Sequence, residues 1–124
     1  KMALSEFFLN NFETSDNALD QRLKPHYYNN DYHTTQHLIT SCLNQVGFKM
    51  INVDNYYHEM LFEYKRIRVI VILNEMSLYD IRVDMKINAK YVLPLKRPIK
   101  IIAKLYEILD RKLTLKYLGG ERNE

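Results

Sequence analysis

Glycine and cysteine are scarce in this chain of 124 residues, with three of the first and one of the second. The single cysteine, Cys42, can form no internal disulfide, and its place in an apolar helical pattern reads as a buried, inert thiol in a reducing compartment. That points to the cytoplasm. The only adjacent glycines, Gly119 and Gly120, close the chain, so there is no glycine-rich phosphate loop and no dinucleotide fingerprint. Nucleotide-dependent chemistry is disfavoured and no cofactor is implied. Long apolar runs are missing as well. The amino terminus has neither the basic segment nor the apolar core of a secretory signal, and Lys96, Arg97 and Lys100 break up the most apolar late stretch, so no membrane span is expected.

What is present fits a globular chain: 47% of the residues are hydrophobic and 27% charged, enough apolar surface for a core in a single domain spanning residues 1–124. The net charge of +3 conceals an imbalance, because residues 1–85 carry −3 and residues 86–124 carry +6. Such asymmetry can mark an acidic partner, although a run of lysines is more commonly the solvated face of a helix.

Residues 56–87 organise the rest. Tyr79, Ile81, Val83, Met85 and Ile87 alternate with Asp80, Arg82, Asp84 and Lys86, the period of a strand with one wet face. Residues 67–73 are apolar almost throughout, as in a central buried strand. Residues 48–53 and 56–64 supply two more strands joined at Asp54-Asn55, and residues 74–78 read as the turn before the alternating strand. The short links predict an antiparallel four-stranded meander.

Helices flank it. Leu4, Phe8 and Phe12 give residues 4–12 one apolar side; Leu38, Ile39, Cys42, Leu43 and Val46 define a helix capped by Thr34 or Thr35 and stopped at Gly47. Pro98 opens a last helix with Ile102, Leu105, Tyr106 and Leu109 inward and Lys100, Lys104, Glu107 and Arg111 outward. Residues 26–33, aromatic and without clear period, read as an ordered loop, so residues 1–33 form a helix and an aromatic loop packed on the domain. Residues 113–118 fit either a final strand or a fraying helix end. The fold class expected is α+β, an antiparallel four-stranded meander with helices mainly on one face.

This order of elements resembles a family of small bacterial cytosolic proteins that carry a conserved domain of unknown function. The residues behind the resemblance are Glu13-Thr14-Ser15-Asp16-Asn17, Leu23-Lys24-Pro25-His26-Tyr27-Tyr28, Val46-Gly47-Phe48-Lys49-Met50-Ile51 and the segment from Ile101 to Asp110. It implies a helix, an antiparallel sheet and a closing helix, with no catalytic residue to carry over. Larger relatives have an Arg-Ser-x-Ser-Arg type segment after the last strand, where this chain has Ile87-Asn88-Ala89-Lys90-Tyr91.

Several constellations bear on chemistry. His33 and His37 have a spacing that suits zinc on a helix, but no third ligand stands nearby and His33 precedes the expected cap, so no metal site is assigned. Asp80 and Asp84 could divide acid and base roles, yet a solvated face with Arg82 between them is the simpler reading. Lys96, Arg97, Lys100 and Lys104 gather positive charge at a helix start, a candidate anion site. The helix, sheet and basic closing helix also look broadly like a double-stranded-RNA-binding domain, which implies phosphate contacts from those lysines. With no catalytic constellation, an enzyme is disfavoured. The leading expectation is a non-enzymatic module that binds a protein partner or a second copy of itself, using its ten tyrosines and open strand edges. The alternatives are an anion or RNA binder, and a small ligand-binding protein or enzyme whose pocket between sheet and helices is lined by tyrosines and His58.

Overall fold

Alternating side chains sort themselves onto two faces of a sheet, and the computed structural model, which describes residues 11–88 and 97–120, shows both faces put to use. The elements in order are β1 (Asn11–Glu13), β2 (His26–Tyr28), α1 (Tyr32–Gln45), β3 (Lys49–Asp54), β4 (Glu59–Tyr64), β5 (Ile67–Ser77), β6 (Asp80–Asn88), α2 (Arg97–Lys112) and β7 (Leu115–Leu118). A 3-10 turn at Gln21–Leu23 precedes β2.

The class is α+β, but the sheet has seven strands rather than four. Six follow the order β3-β4-β5-β6-β2-β7, and β1 pairs with β6 beside that path; every pairing is antiparallel. The expected meander is its β3–β6 half. The extra strands come from segments read as loop or helix. Residues 26–28, expected within an aromatic loop, are fully buried and pair with β6 on one side and β7 on the other. The expected helix over residues 4–12 lies mostly outside the described residues, and its end is replaced by β1, whose Asn11, Phe12 and Glu13 stand opposite Asn88, Ile87 and Lys86. Three-residue strands are too short for period two to show in a sequence, and it is the long neighbour β6 that imposes them. Its outer edge is shared by β2 over residues 81–83 and β1 over residues 86–88.

Two boundaries also move. The stretch 74–78 is no turn until Leu78, because β5 runs on to Ser77 as partner of β6. The cap of α1 is Asp31, three and four residues ahead of the expected Thr34 and Thr35; its carboxylate accepts from Thr34 N at 2.7 Å. At the other end Gly47, with φ +103°, stops the helix in a conformation that costs a side chain dearly, and an added Cβ there would sit 2.8 Å from the Tyr64 ring.

The core lies between the sheet and both helices. Val69, Val71 and Leu73 of β5, Val83, Met85 and Ile87 of β6, and Met60 and Phe62 of β4 meet Ile39, Cys42 and Leu43 of α1 and Ile102, Leu105 and Leu109 of α2. Each such side chain contributes about 1.5–3 kcal/mol by leaving water. Burial pushes the Cys42 thiol up, so it stays protonated among apolar neighbours. Among the described residues no helix is long and apolar enough to cross a membrane.

Candidate functional site

In an antiparallel meander the β3–β4 and β5–β6 turns fall at the same end, and the amino-terminal end of α1 joins them there. Tyr32, the first residue of α1, brings its hydroxyl within 2.9 Å of His58 Nδ1, with the rings edge to face. His58 holds a left-handed backbone, φ +57°, in the turn before β4, and its carbonyl accepts from Leu73 N at 3.0 Å. Burial, and secondarily the charge of Glu75, raise the Tyr32 hydroxyl above its ordinary range, so it stays protonated beside His58. Around this pair opens a groove of about 820 Å³, lined by Asp31, Tyr32, His33, His58, Asn74, Glu75, Met76, Leu78 and Arg82. Leu78 of its lining is 67% exposed and Met76 is exposed beside it, while Tyr79 and Tyr56, in the two turns at this end, are exposed as well.

The face of the sheet opposite the helices carries a second polar arrangement. Arg82 Nε donates to Asp84 Oδ2 at 2.6 Å and Arg82 Nη1 to Asp16 Oδ2 at 2.8 Å. Thr14 closes the other side: its hydroxyl donates to Asp84 Oδ1 at 2.6 Å and accepts from Met85 N at 3.0 Å. Burial opposes the Arg82 charge, but the hydrogen bonds and charge of Asp84, joined by Asp16, prevail and hold the guanidinium above its ordinary range. This is the face expected to be wet. Instead Asp80 is 4% and Asp84 8% exposed, because Thr14 and Asp16 bond to Asp84 and Arg82 on that face and Tyr27 stacks on Tyr117. Asp80 itself accepts from Tyr117 Oη at 3.3 Å and lies 3.8 Å from Lys116 Nζ. This network staples the amino-terminal segment to β6.

A third cluster lies under α2. His26 and Tyr28 share one face of β2, and both reach Asp110 Oδ1, His26 Nδ1 at 2.8 Å and Tyr28 Oη at 2.7 Å. The His26 ring stacks on Tyr106 with centroids 3.7 Å apart and 4° between planes, while Tyr106 donates to Val83 O at 2.7 Å. Burial first, then the charge and hydrogen bond of Asp110, push the Tyr28 hydroxyl far up, which fixes it as a donor. Sequence reasoning missed this cluster. Residues 26–28 are too few to show a strand period, and Asp110 lies 84 residues from His26, so nothing local joins them.

Of the four candidate anion residues, Lys100 and Lys104 have described side chains, one turn apart on α2. Lys96 lies outside the described residues, as does the side chain of Arg97 at the start of α2. Lys100 and Lys104 are exposed, and Lys104 is shared with Glu107 at 3.8 Å. His33 lines the end groove and also, together with His37, a smaller depression between α1 and the β3–β4 hairpin. Among the described residues no group of three or more His, Cys, Asp or Glu is placed to hold a metal ion. Comparison with family models, with curated proteins and with solved structures finds no match for this chain. The family resemblance drawn from residues 13–17, 23–28, 46–51 and 101–110 therefore rests on those segments alone.

Proposed function

We propose that the chain is a non-enzymatic binding module that takes an extended, apolar segment of a partner protein into the groove at the turn end of the sheet. The observation that carries this reading is the pairing of a sizeable groove with Met76 and Leu78, exposed in its lining, and with Tyr56 and Tyr79, exposed in the two turns at the same end. Tyrosines suit such a rim, since each offers broad apolar area and a hydroxyl at little entropic cost. Tyr32, His58 and Asn74 place polar groups in the lining, where they can register a peptide backbone. The open edge at β3 supports the reading less well: Met50 and Ile51 are exposed there, but a bulge between Met50 and Asn52 interrupts the ladder and spoils it as a template for another strand. A phosphate-binding reading has only Lys100 and Lys104 among the described side chains.

Selecting binders from a random-peptide display library and mapping them by amide NMR tests the proposal. Selected peptides should be rich in apolar residues and shift Tyr32, His58, Met76 and Leu78. Leu78→Glu should weaken them at least tenfold, about 1.4 kcal/mol, and Met50→Glu should leave them unchanged. Peptides that track Met50→Glu instead would move the interface to the β3 edge; no selectable peptide at all would remove the reading.

A further inference from the structure

Strand β5 outruns the core it helps to build. Val69, Val71 and Leu73 are buried under the helices, and Glu75, next on the same face, emerges exposed opposite Ile81 of β6. Glu75 lines the groove at the turn end, and its charge is felt at the Tyr32 hydroxyl in the same lining. The second carboxylate of the lining is Asp31, which accepts from Thr34 N at 2.7 Å and Thr34 Oγ1 at 2.9 Å. Those donors are neutral and leave its charge in place. Among the described residues neither Asp31 nor Glu75 takes part in an ion pair. Arg82 is the one Lys or Arg of the described lining, and it is already held by Asp84 at 2.6 Å and Asp16 at 2.8 Å. An apolar slot formed by Met76 and Leu78 is thus set in a negative field.

We infer that the partner segment taken by this groove carries a lysine or arginine beside its apolar anchor, the anchor against Met76 and Leu78 and the cation toward Glu75 and Asp31; this rests on the peptide-binding reading of the groove. A long basic side chain suits the place, because its aliphatic stem can cover apolar lining while its head stays in water. An acidic segment is turned away: it would meet two like charges, and Arg82 could answer it only by leaving Asp84, 8% exposed, without its cation. Because Glu75 is exposed, the preference acts mainly on association and fades with salt.

Peptides selected from the display library on the full chain are the probes. Lys and Arg should be enriched over Asp and Glu beside their apolar residues. One selected peptide, resynthesised with Lys, Gln or Glu at that position, should bind in that order, with Lys over Gln by about fivefold, or about 1 kcal/mol. The advantage should shrink between about 0.01 M and about 0.15 M salt, as the screening length falls from about 30 Å to about 8 Å. Glu75→Gln, at an exposed strand position, should remove most of it, and Glu75→Lys should turn the order around. Asp31→Asn, which still caps α1, should reduce it, whereas Glu107→Gln, an exposed acid on α2 outside the groove, should leave it unaltered. Selected peptides with no basic bias, or a Lys advantage that survives in Glu75→Gln, overturn the inference while the groove reading stands on their response to Leu78→Glu. No selectable peptide removes both.

Discussion

The two faces of the sheet are held by opposite means. Under the helices β5 and β6 present Val69, Val71, Leu73, Val83, Met85 and Ile87 to a dry core; on the reverse, β6 presents Arg82 and Asp84 to a strap of chain pinned by charge and hydroxyl. The dry face tolerates replacement by any side chain of similar volume, since dispersion and desolvation are non-directional. The strapped face is directional. Its stability resides in a few short bonds whose loss leaves buried charge behind, and such a network adds specificity of placement more than net energy.

The contrast can be tested by unfolding in urea, beginning with the largest effect. Phe62→Ala, deep on the dry face, should cost about 4 kcal/mol, and Phe62→Leu only a fraction of that. Arg82→Ala should cost about 3 kcal/mol, because Asp84 would stay buried without its cation, while the double change of Arg82 and Asp84 to alanine should recover part of the loss. If the double variant is as unstable as the sum of the two single ones, the two residues act independently and the contrast between faces fails. Thr14→Val removes the hydroxyl between Asp84 and Met85 N and should cost about 1–2 kcal/mol; a neutral result would mean the strap is held elsewhere.

The smallest effect belongs to neither face. The backbone and side-chain hydrogen bonds from Thr34 hold the Asp31 carboxyl below its ordinary range at the cap of α1. A carboxyl depressed on folding adds stability above its unfolded value, near 3.9, and that increment disappears as pH falls through the lower folded value. Asp31→Asn, which still caps, should therefore flatten the acid limb of the stability profile below about pH 4 and change little at neutral pH. An unaltered acid limb would show that the cap does not titrate with folding.

Where the chain alternates over nine residues, as in β6, or repeats every three to four, as in α1 and α2, the elements were legible in the amino-acid order. Helix stops and starts at Gly47 and Pro98 were legible too. The strands of three and four residues were not, for they have no period of their own and exist because β6 and β2 offer them edges. The reading of Asp80 and Asp84 as wet failed for a related reason: alternation tells which residues share a face, never what covers it. His58 was visible as a candidate for a pocket lined by tyrosines, but its meeting with Tyr32 needed the turn that sets His58 left-handed. His26 and Asp110 were joined by nothing local at all.

The position of β2 between β6 and β7 has a kinetic consequence. A strand made early in synthesis has both its neighbours among the last third of the chain, so Tyr27 and Tyr28 must wait, unpaired, until residues 80–118 have emerged. The β3–β6 hairpins can form first from near neighbours, whereas closing the large loops that seat residues 26–28 adds distant contacts that slow folding. The final step to the native state should be the capture of that short segment, which sets His26 and Tyr28 against Asp110.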